Sequence, residues 1–110
     1  MRARDGLEAV HKAEELNPDL ILLDVDLPKL NGIEVSRKVR EVCPRSRILF
    51  VSAGTFPELA RAALDTGASG YVVKFDITVE LLAAIEAVLL GKRYVSRRLA
   101  ALVAGEDSST

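Results

Sequence analysis

The chain has 110 residues, of which 49% are hydrophobic, and its formal net charge is −1. This length suits one small domain, and the charge argues against a nucleic-acid-binding surface, which is usually basic. The single cysteine, Cys43, excludes a disulfide framework. No apolar stretch approaches the roughly 20 residues that span a bilayer, and no secretory signal opens the chain. These features favour a cytoplasmic protein without membrane contact.

The first half of the chain predicts a helix, a strand and a second helix. Apolar residues at helical spacing follow the N-cap candidate Asp5, and Asn17-Pro18 ends this helix. Strand 19–24 carries an unbroken apolar run that stops at Asp24, a pattern typical of a strand buried on both faces of a parallel sheet. A loop rich in turn residues follows, and the spacing predicts a helix over about 33–42.

The second half repeats the alternation. A buried strand is predicted over 48–51 and ends at Ser52, and a third helix begins near Pro57 and closes at Gly67. A third strand, 71–73, ends at Lys74. The remaining predicted segments are a helix over 78–90, a connector over 92–96, a short helix over 97–104 and a polar tail over 105–110.

Alternating strands and helices predict an α/β fold with a parallel sheet and right-handed crossovers. Helices are expected on both faces of the sheet. Three strands make a thin sheet for such a fold.

Each predicted strand ends in a polar residue of different chemistry, namely Asp24, Ser52 and Lys74. Because the carboxyl ends of parallel strands share one edge, these side chains are expected within reach of one ligand. A carboxylate can act as a nucleophile, a hydroxyl can bond a phosphoryl oxygen and an ammonium can neutralise its charge. The set therefore favours phosphoryl chemistry over strands that merely end in polar residues.

The same stretches resemble the receiver domain of bacterial two-component response regulators. The matching sequences are Pro18-Asp-Leu-Ile-Leu-Leu-Asp-Val-Asp-Leu-Pro28, Leu30-Asn-Gly-Ile-Glu34, Ile48-Leu-Phe-Val-Ser-Ala53 and Gly67-Ala-Ser-Gly-Tyr-Val-Val-Lys74. The resemblance implies a flavodoxin-like, receiver-type parallel three-layer sandwich, here reduced to three strands. It also implies phosphorelay signalling with a histidine kinase or phosphotransfer protein as partner, and no enzymatic turnover.

The resemblance implies a role for each matching residue. Asp24 is the phosphoacceptor and a metal ligand. Ser52, Ala53 and Lys74 contact the phosphoryl group, and Ser52 switches together with the aromatic Tyr71. The backbone carbonyl of Asp26 is the further Mg²⁺ ligand that the chain retains.

The chain departs from the receiver pattern at its front and after Lys74. Phe75 stands where the family often has proline. Measured against the pattern, residues 5–96 form a partial receiver without the first strand, the first helix, the second strand or the acidic pair, and residues 97–110 form a C-terminal helix, tail or linker stub. Mg²⁺ requires near-octahedral oxygen coordination. Without the acidic pair the ligand set is incomplete, so weak or absent metal binding and slow phosphorylation are expected. A phosphorylation-incompetent interaction or oligomerisation module is the alternative function.

A missing first strand would leave strand 19–24 as an apolar sheet edge, and such edges pair with other chains. Self-association through strand 19–24 or helix 78–90 is therefore expected.

Two further resemblances suggest other functions, one of an enzyme and one of a DNA-binding regulator. Asp24-Val-Asp26 also fits the Asp-x-Asp signature of haloacid-dehalogenase-type phosphatases, although the further acidic loop of those enzymes is lacking beyond Asp76. Gly91–Ser96 resembles the exit from receivers that carry a C-terminal helix-turn-helix domain. This places transcription regulation in a longer parent protein and predicts no direct nucleic-acid binding by these residues.

Overall fold

A parallel sheet forms the centre of the molecule. The computed structural model describes residues 2–3, 6–24, 32–53 and 57–100. Within these ranges the elements are β1 (Arg2–Ala3), α1 (Gly6–Leu16), β2 (Leu20–Asp24), α2 (Gly32–Val42), β3 (Arg47–Ser52), α3 (Pro57–Asp65), β4 (Gly70–Val73), a 3-10 turn (Lys74–Asp76), α4 (Ile77–Leu89) and β5 (Tyr94–Val95).

The strands lie side by side in chain order, β1 to β5, and every neighbouring pair is parallel. The register aligns the carboxyl ends of the three longer strands, because Asp24 pairs with Val51 and Ser52 pairs with Val73. The polar residues that end these strands therefore lie along one edge of the sheet.

Strand residues alternate between the two faces of the sheet, as the two-residue repeat of a strand requires. One face packs against α1, α2 and α3 and forms the larger core. Its largest fully buried side chains are those of Ile21, Leu23, Val35, Val39, Ile48, Phe50, Tyr71, Val73 and Leu99. The opposite face packs against α4 through Leu49, Val72, Ala84 and Val88, with Leu20 and Leu22 partly buried beside them. The α/β class and the helices on both faces are thereby confirmed.

The predicted number of strands is wrong, because the described part of the sheet has five strands rather than three. β1 and β5 have two residues each, too few for a run of apolar residues to predict them. β1 also changes the predicted edge, since Arg2 pairs with Leu22 and Ala3 pairs with Leu23. Strand 19–24 is therefore not the bare edge that the sequence predicts.

The predicted connector 92–96 contains β5, which pairs with β4 at Gly70 and Tyr71. Gly70 permits this close approach, because a Cβ at that position would lie 2.8 Å from the carbonyl oxygen of Tyr94. Residues 97–100 are helical, as predicted, and Leu99 is buried in the larger core. The rest of the predicted helix over 97–104 and the polar tail over 105–110 lie outside the described residues.

The raised pKa of Tyr94 predicts that the folded chain loses stability at high pH. Burial raises the pKa of its phenol, and the charge of Glu80 raises it further. The folded state therefore favours the neutral phenol, so the free energy of unfolding should fall as the pH rises past about 10, where an unfolded tyrosine ionises. We expect Tyr94→Phe to show a shallower fall between pH 9 and pH 11 in urea titrations. Identical slopes for the two proteins would contradict this assignment.

Candidate functional site

Three polar residues lie at the carboxyl edge of the sheet, where Asp24 ends β2, Ser52 ends β3 and Lys74 directly follows β4. Lys74 Nζ lies 3.4 Å from Asp24 Oδ1, although their strands are separated by β3. Two strand spacings amount to about 10 Å, a span that the long lysine side chain helps to cross. Ser52 ends the intervening strand β3 and pairs with Val73, so it lies at the same edge of the sheet as the Asp24–Lys74 contact.

The site is partly open to solvent. The Asp24 side chain is 19% exposed and the Lys74 side chain is 44% exposed, whereas Ser52 is almost fully buried. Among the described residues Asp24 Oδ1 is a buried oxygen that accepts no hydrogen bond, since its contact with Lys74 is an ion pair only. An oxygen in this state can accept a further contact or attack an electrophile, and the neighbouring ammonium can offset the negative charge of a group that is bound beside it.

Tyr71 lies in β4, three residues before Lys74, and is fully buried. Its side chain belongs to the larger core, in which Ala60, Ala63 and Leu64 of α3 also take part. The Tyr71 and Phe50 ring centroids are 6.3 Å apart, with the rings inclined at 42°. The structure therefore places the predicted switch residue beneath the helix that follows Ser52, rather than at the Asp24 edge.

Ala53 and Asp26 are the other two predicted site residues. Ala53 follows Ser52 and is exposed, and Asp26 lies outside the described residues. Across those ranges there is no cluster of three or more His, Cys, Asp or Glu side chains that could hold a metal ion. Asp24 supplies one hard oxygen beside a lysine ammonium, and Mg²⁺ requires a near-octahedral set of oxygens. The described residues therefore do not by themselves fit a Mg²⁺ site.

Two contacts on either side of Lys74 are not evident from the sequence. The Val73 N–H donates to Ser96 Oγ at 3.0 Å, and Arg98 forms two hydrogen bonds with Asp76. The hydrogen bonds with Arg98 lower the pKa of the Asp76 carboxyl, and the same bonds with Asp76 raise the pKa of the Arg98 guanidinium. The partners lie 22 or 23 residues apart, beyond the reach of helical or strand periodicity. The Ser96-Arg-Arg98 sequence after a two-residue strand gives no local signal for them.

No helix in the described ranges has both the length and the apolar composition required to cross a bilayer.

Comparison with known proteins identifies relatives of the whole described fold. The sequence profile of the response regulator receiver domain matches residues 1–86. The chain is 38% identical over 102 residues to the transcriptional activator protein ExaE of Pseudomonas putida, which covers 93% of this chain and 48% of that protein. It is 36% identical over 102 residues to the nitrate/nitrite response regulator protein NarL of Escherichia coli K12, with 93% and 47% covered. The chain thus spans about half the length of the curated relatives it matches.

Solved structures show the same relationship. A two-component response regulator of the LuxR family from Aurantimonas sp. SI85-9A1 superposes with a TM-score of 0.91 at 38% identity, covering 96% of this chain and 76% of that one. The response regulator domain of Thermotoga maritima CheB superposes with a TM-score of 0.72 at 35% identity, covering 79% and 72%.

Proposed function

This chain belongs to the response regulator receiver domain family of two-component systems, and we propose that Asp24 is its phosphoacceptor. The phosphoryl donor is the phosphohistidine of a histidine kinase or a phosphotransfer protein. The observation that carries the proposal is the buried Asp24 Oδ1, which accepts no hydrogen bond from the described residues and lies 3.4 Å from Lys74 Nζ.

The proposed transfer uses the residues at the sheet edge. A carboxylate oxygen of Asp24 attacks phosphorus, the P–N bond of the donor breaks, and the imidazole leaves with its electron pair and takes up a proton. Lys74 offsets the charge of the transferred group, and Ser52 donates a hydrogen bond to one of its oxygens. Ala53, next along the chain, lies beside the same group. The product is an acyl phosphate on Asp24.

Receiver domains typically use Mg²⁺ at the phosphorylation site. Since the described residues do not complete such a site, we expect weak metal binding, with Asp24 and the carbonyl of Asp26 as ligands, and slow phosphorylation of this chain. No step above depends on the ion.

The proposed response to phosphorylation passes through Ser52 and Tyr71. The new dianion draws the Ser52 hydroxyl toward it, and Tyr71 changes rotamer in the core beneath α3. Support comes from the packing, because Tyr71 shares its core with Ala60 and Leu64 of that helix. The partner-binding surface of α3 then shifts.

The experiment that tests the proposal is exposure of the chain to acetyl phosphate with and without Mg²⁺, followed by intact mass. We expect the mass of a single phosphoryl group. If no mass is added under either condition, the phosphorylation-incompetent interaction module is the better description. If p-nitrophenyl phosphate is hydrolysed through many turnovers, the haloacid-dehalogenase interpretation is favoured instead.

The interaction surface proposed for this chain is the solvent face of α4 together with Leu90, the residue that follows the helix. Val79 is 81% exposed, Leu82 is 70% exposed and Leu90 is 74% exposed, a density of large apolar side chains that is unusual on a solvated helix. We propose that a second copy of the chain covers this face, since a two-fold axis brings the same patch together from both copies.

The α4 surface gives a direct prediction for self-association. Leu82→Lys should raise the dimer dissociation constant at least about tenfold, because it places a charge in the apolar contact. Leu7→Lys is the matched control, since Leu7 is 58% exposed on α1. Sedimentation velocity checks both variants. A wild-type chain that is monomeric at every concentration would contradict the proposed surface.

Regulation of transcription is proposed for a longer parent protein only. The relatives include proteins named as a transcriptional activator and as a response regulator, and this chain spans about half of each. We assign residues 5–96 to the receiver unit and residues 97–110 to the stub that leads out of it. A cytoplasmic setting fits the unpaired, buried Cys43.

A further inference from the structure

We propose that the segment that leaves α4, Tyr94–Ala100, positions Lys74 for the reaction at Asp24. This exit segment holds the backbone on both sides of Lys74. The inference rests on the proposed phosphoacceptor role of Asp24 only for its effect on phosphoryl transfer; the positioning itself is a property of the described contacts.

The first contact lies immediately before Lys74. The Val73 N–H donates to Ser96 Oγ at 3.0 Å, and the Ser96 N–H donates to the Tyr71 carbonyl at 2.9 Å. Ser96 Oγ in turn donates to Glu80 Oε2 at 2.7 Å, and Ser96 is fully buried. Buried bonds of this kind are costly to break, because the groups left behind have no water to replace the partner. Residue 73 is thus fixed to residue 96.

The second contact lies two residues after Lys74. Arg98 Nε donates to Asp76 Oδ2 at 2.9 Å, and an Arg98 terminal nitrogen donates to Asp76 Oδ1 at 3.1 Å. A two-bond guanidinium–carboxylate pair fixes orientation as well as distance. The Arg98 guanidinium also lies 4.9 Å from the centroid of the Phe75 ring, a cation–π arrangement. Residues 75 and 76 are thus fixed to residue 98.

Glu80 holds the exit segment itself in place. Its Oε1 accepts the Arg97 N–H at 3.2 Å while Oε2 accepts from Ser96, and its side chain is nearly buried at 7% exposure. The helical turn that starts at Arg97 therefore has a carboxylate at its N-terminus, where negative charge is favourable. Leu99 anchors the other side of the turn in the core.

Lys74 therefore stands between two anchored points, Val73 and Asp76, in a 3-10 turn whose ends the exit segment fixes. Its ammonium reaches Asp24 from this turn. Loosening the exit segment should let Lys74 move away from the acceptor. Because coupling between two sites acts equally in both directions, a group on Asp24 that binds Lys74 should also tighten the exit segment. The helical turn that contains Arg98 is then coupled to the phosphoryl site.

The test compares Arg98→Gln with Arg93→Gln, a matched control at an exposed arginine of the same region. The first readout is hydrogen exchange of the Ile77 amide, which donates to the Lys74 carbonyl and so reports the turn. The second readout is the rate of phosphoryl incorporation from acetyl phosphate. We expect Arg98→Gln to speed exchange and slow incorporation, each by about 5-fold or more, and Arg93→Gln to change neither.

Each outcome decides a different claim. Unchanged Ile77 exchange in Arg98→Gln would overturn the positioning role, whatever the chain does with phosphate. Faster exchange with an unaltered incorporation rate would show that the turn is held but does not matter to the reaction, which also overturns the proposal. A wild-type chain that gains no phosphoryl group would contradict the proposed function, and the positioning of Lys74 would then be decided by the exchange measurement alone.

Discussion

Replacing Asp24 with asparagine is expected to abolish phosphoryl incorporation from acetyl phosphate. The amide lacks the anionic oxygen that attacks phosphorus and cannot form an acyl phosphate. The variant should fold, because the two side chains have the same shape and Asp24 contributes an ion pair that is partly open to solvent. Intact mass measures the incorporation, and circular dichroism checks the fold.

The matched control is Asp19→Asn. Asp19 is an exposed residue that immediately precedes β2, so its replacement removes an equal charge beside the opposite end of that strand, away from the carboxyl edge of the sheet. This variant should incorporate phosphate at the wild-type rate. Mass addition that survives in Asp24→Asn, or that disappears equally in Asp19→Asn, would contradict the assignment of the acceptor.

Phe50→Ala is expected to destabilise the chain by about 3–5 kcal/mol. Phe50 is fully buried in β3, and its ring packs near that of Tyr71 in the larger core. Truncation leaves a cavity between the sheet and the helices. Since small domains are stable by only about 5–15 kcal/mol, much of the chain should be unfolded at temperatures at which the wild type is folded. Urea titration followed by circular dichroism measures the change.

Phe75→Ala provides the comparison, because Phe75 undergoes the same substitution at 79% exposure. Its contact with Arg98 is lost, so a change below about 1 kcal/mol is expected. Equal losses for the two variants would contradict the placement of Phe50 in the core.

The longer elements could be predicted from sequence because their signals are local. The apolar run before Asp24 indicates a strand buried on both faces, and helical spacing with Pro57 as a start signal locates α3. The site follows from the same logic, since parallel strands that end at Asp24, Ser52 and Lys74 must bring these residues to one edge.

The two shortest strands cannot be predicted from local sequence, because they depend on distant partners. β1 and β5 are too short to carry a periodic signal and form only because β2 and β4 offer an edge to pair with. Ser96 and Arg98 show the same limit, as their hydrogen-bond partners Val73, Glu80 and Asp76 lie 16 to 23 residues earlier in the chain. Only the packed sheet brings such residues together.

The proposed positioning role couples the Asp24 site to the exit segment through Lys74, separately from the proposed response of α3 through Tyr71. A displacement of Arg98 would reach Lys74 through Asp76, and occupancy of the Asp24 site would reach Arg98 in return.

The most direct test of the account is chemical mapping of the phosphorylated residue. Borohydride reduces an aspartyl phosphate to homoserine, whereas phosphoserine survives the treatment. After reaction with acetyl phosphate and reduction, we predict homoserine at position 24 in the peptide mass spectrum. Homoserine at another aspartate, or a phosphate that remains on Ser52, would contradict the assignment of Asp24.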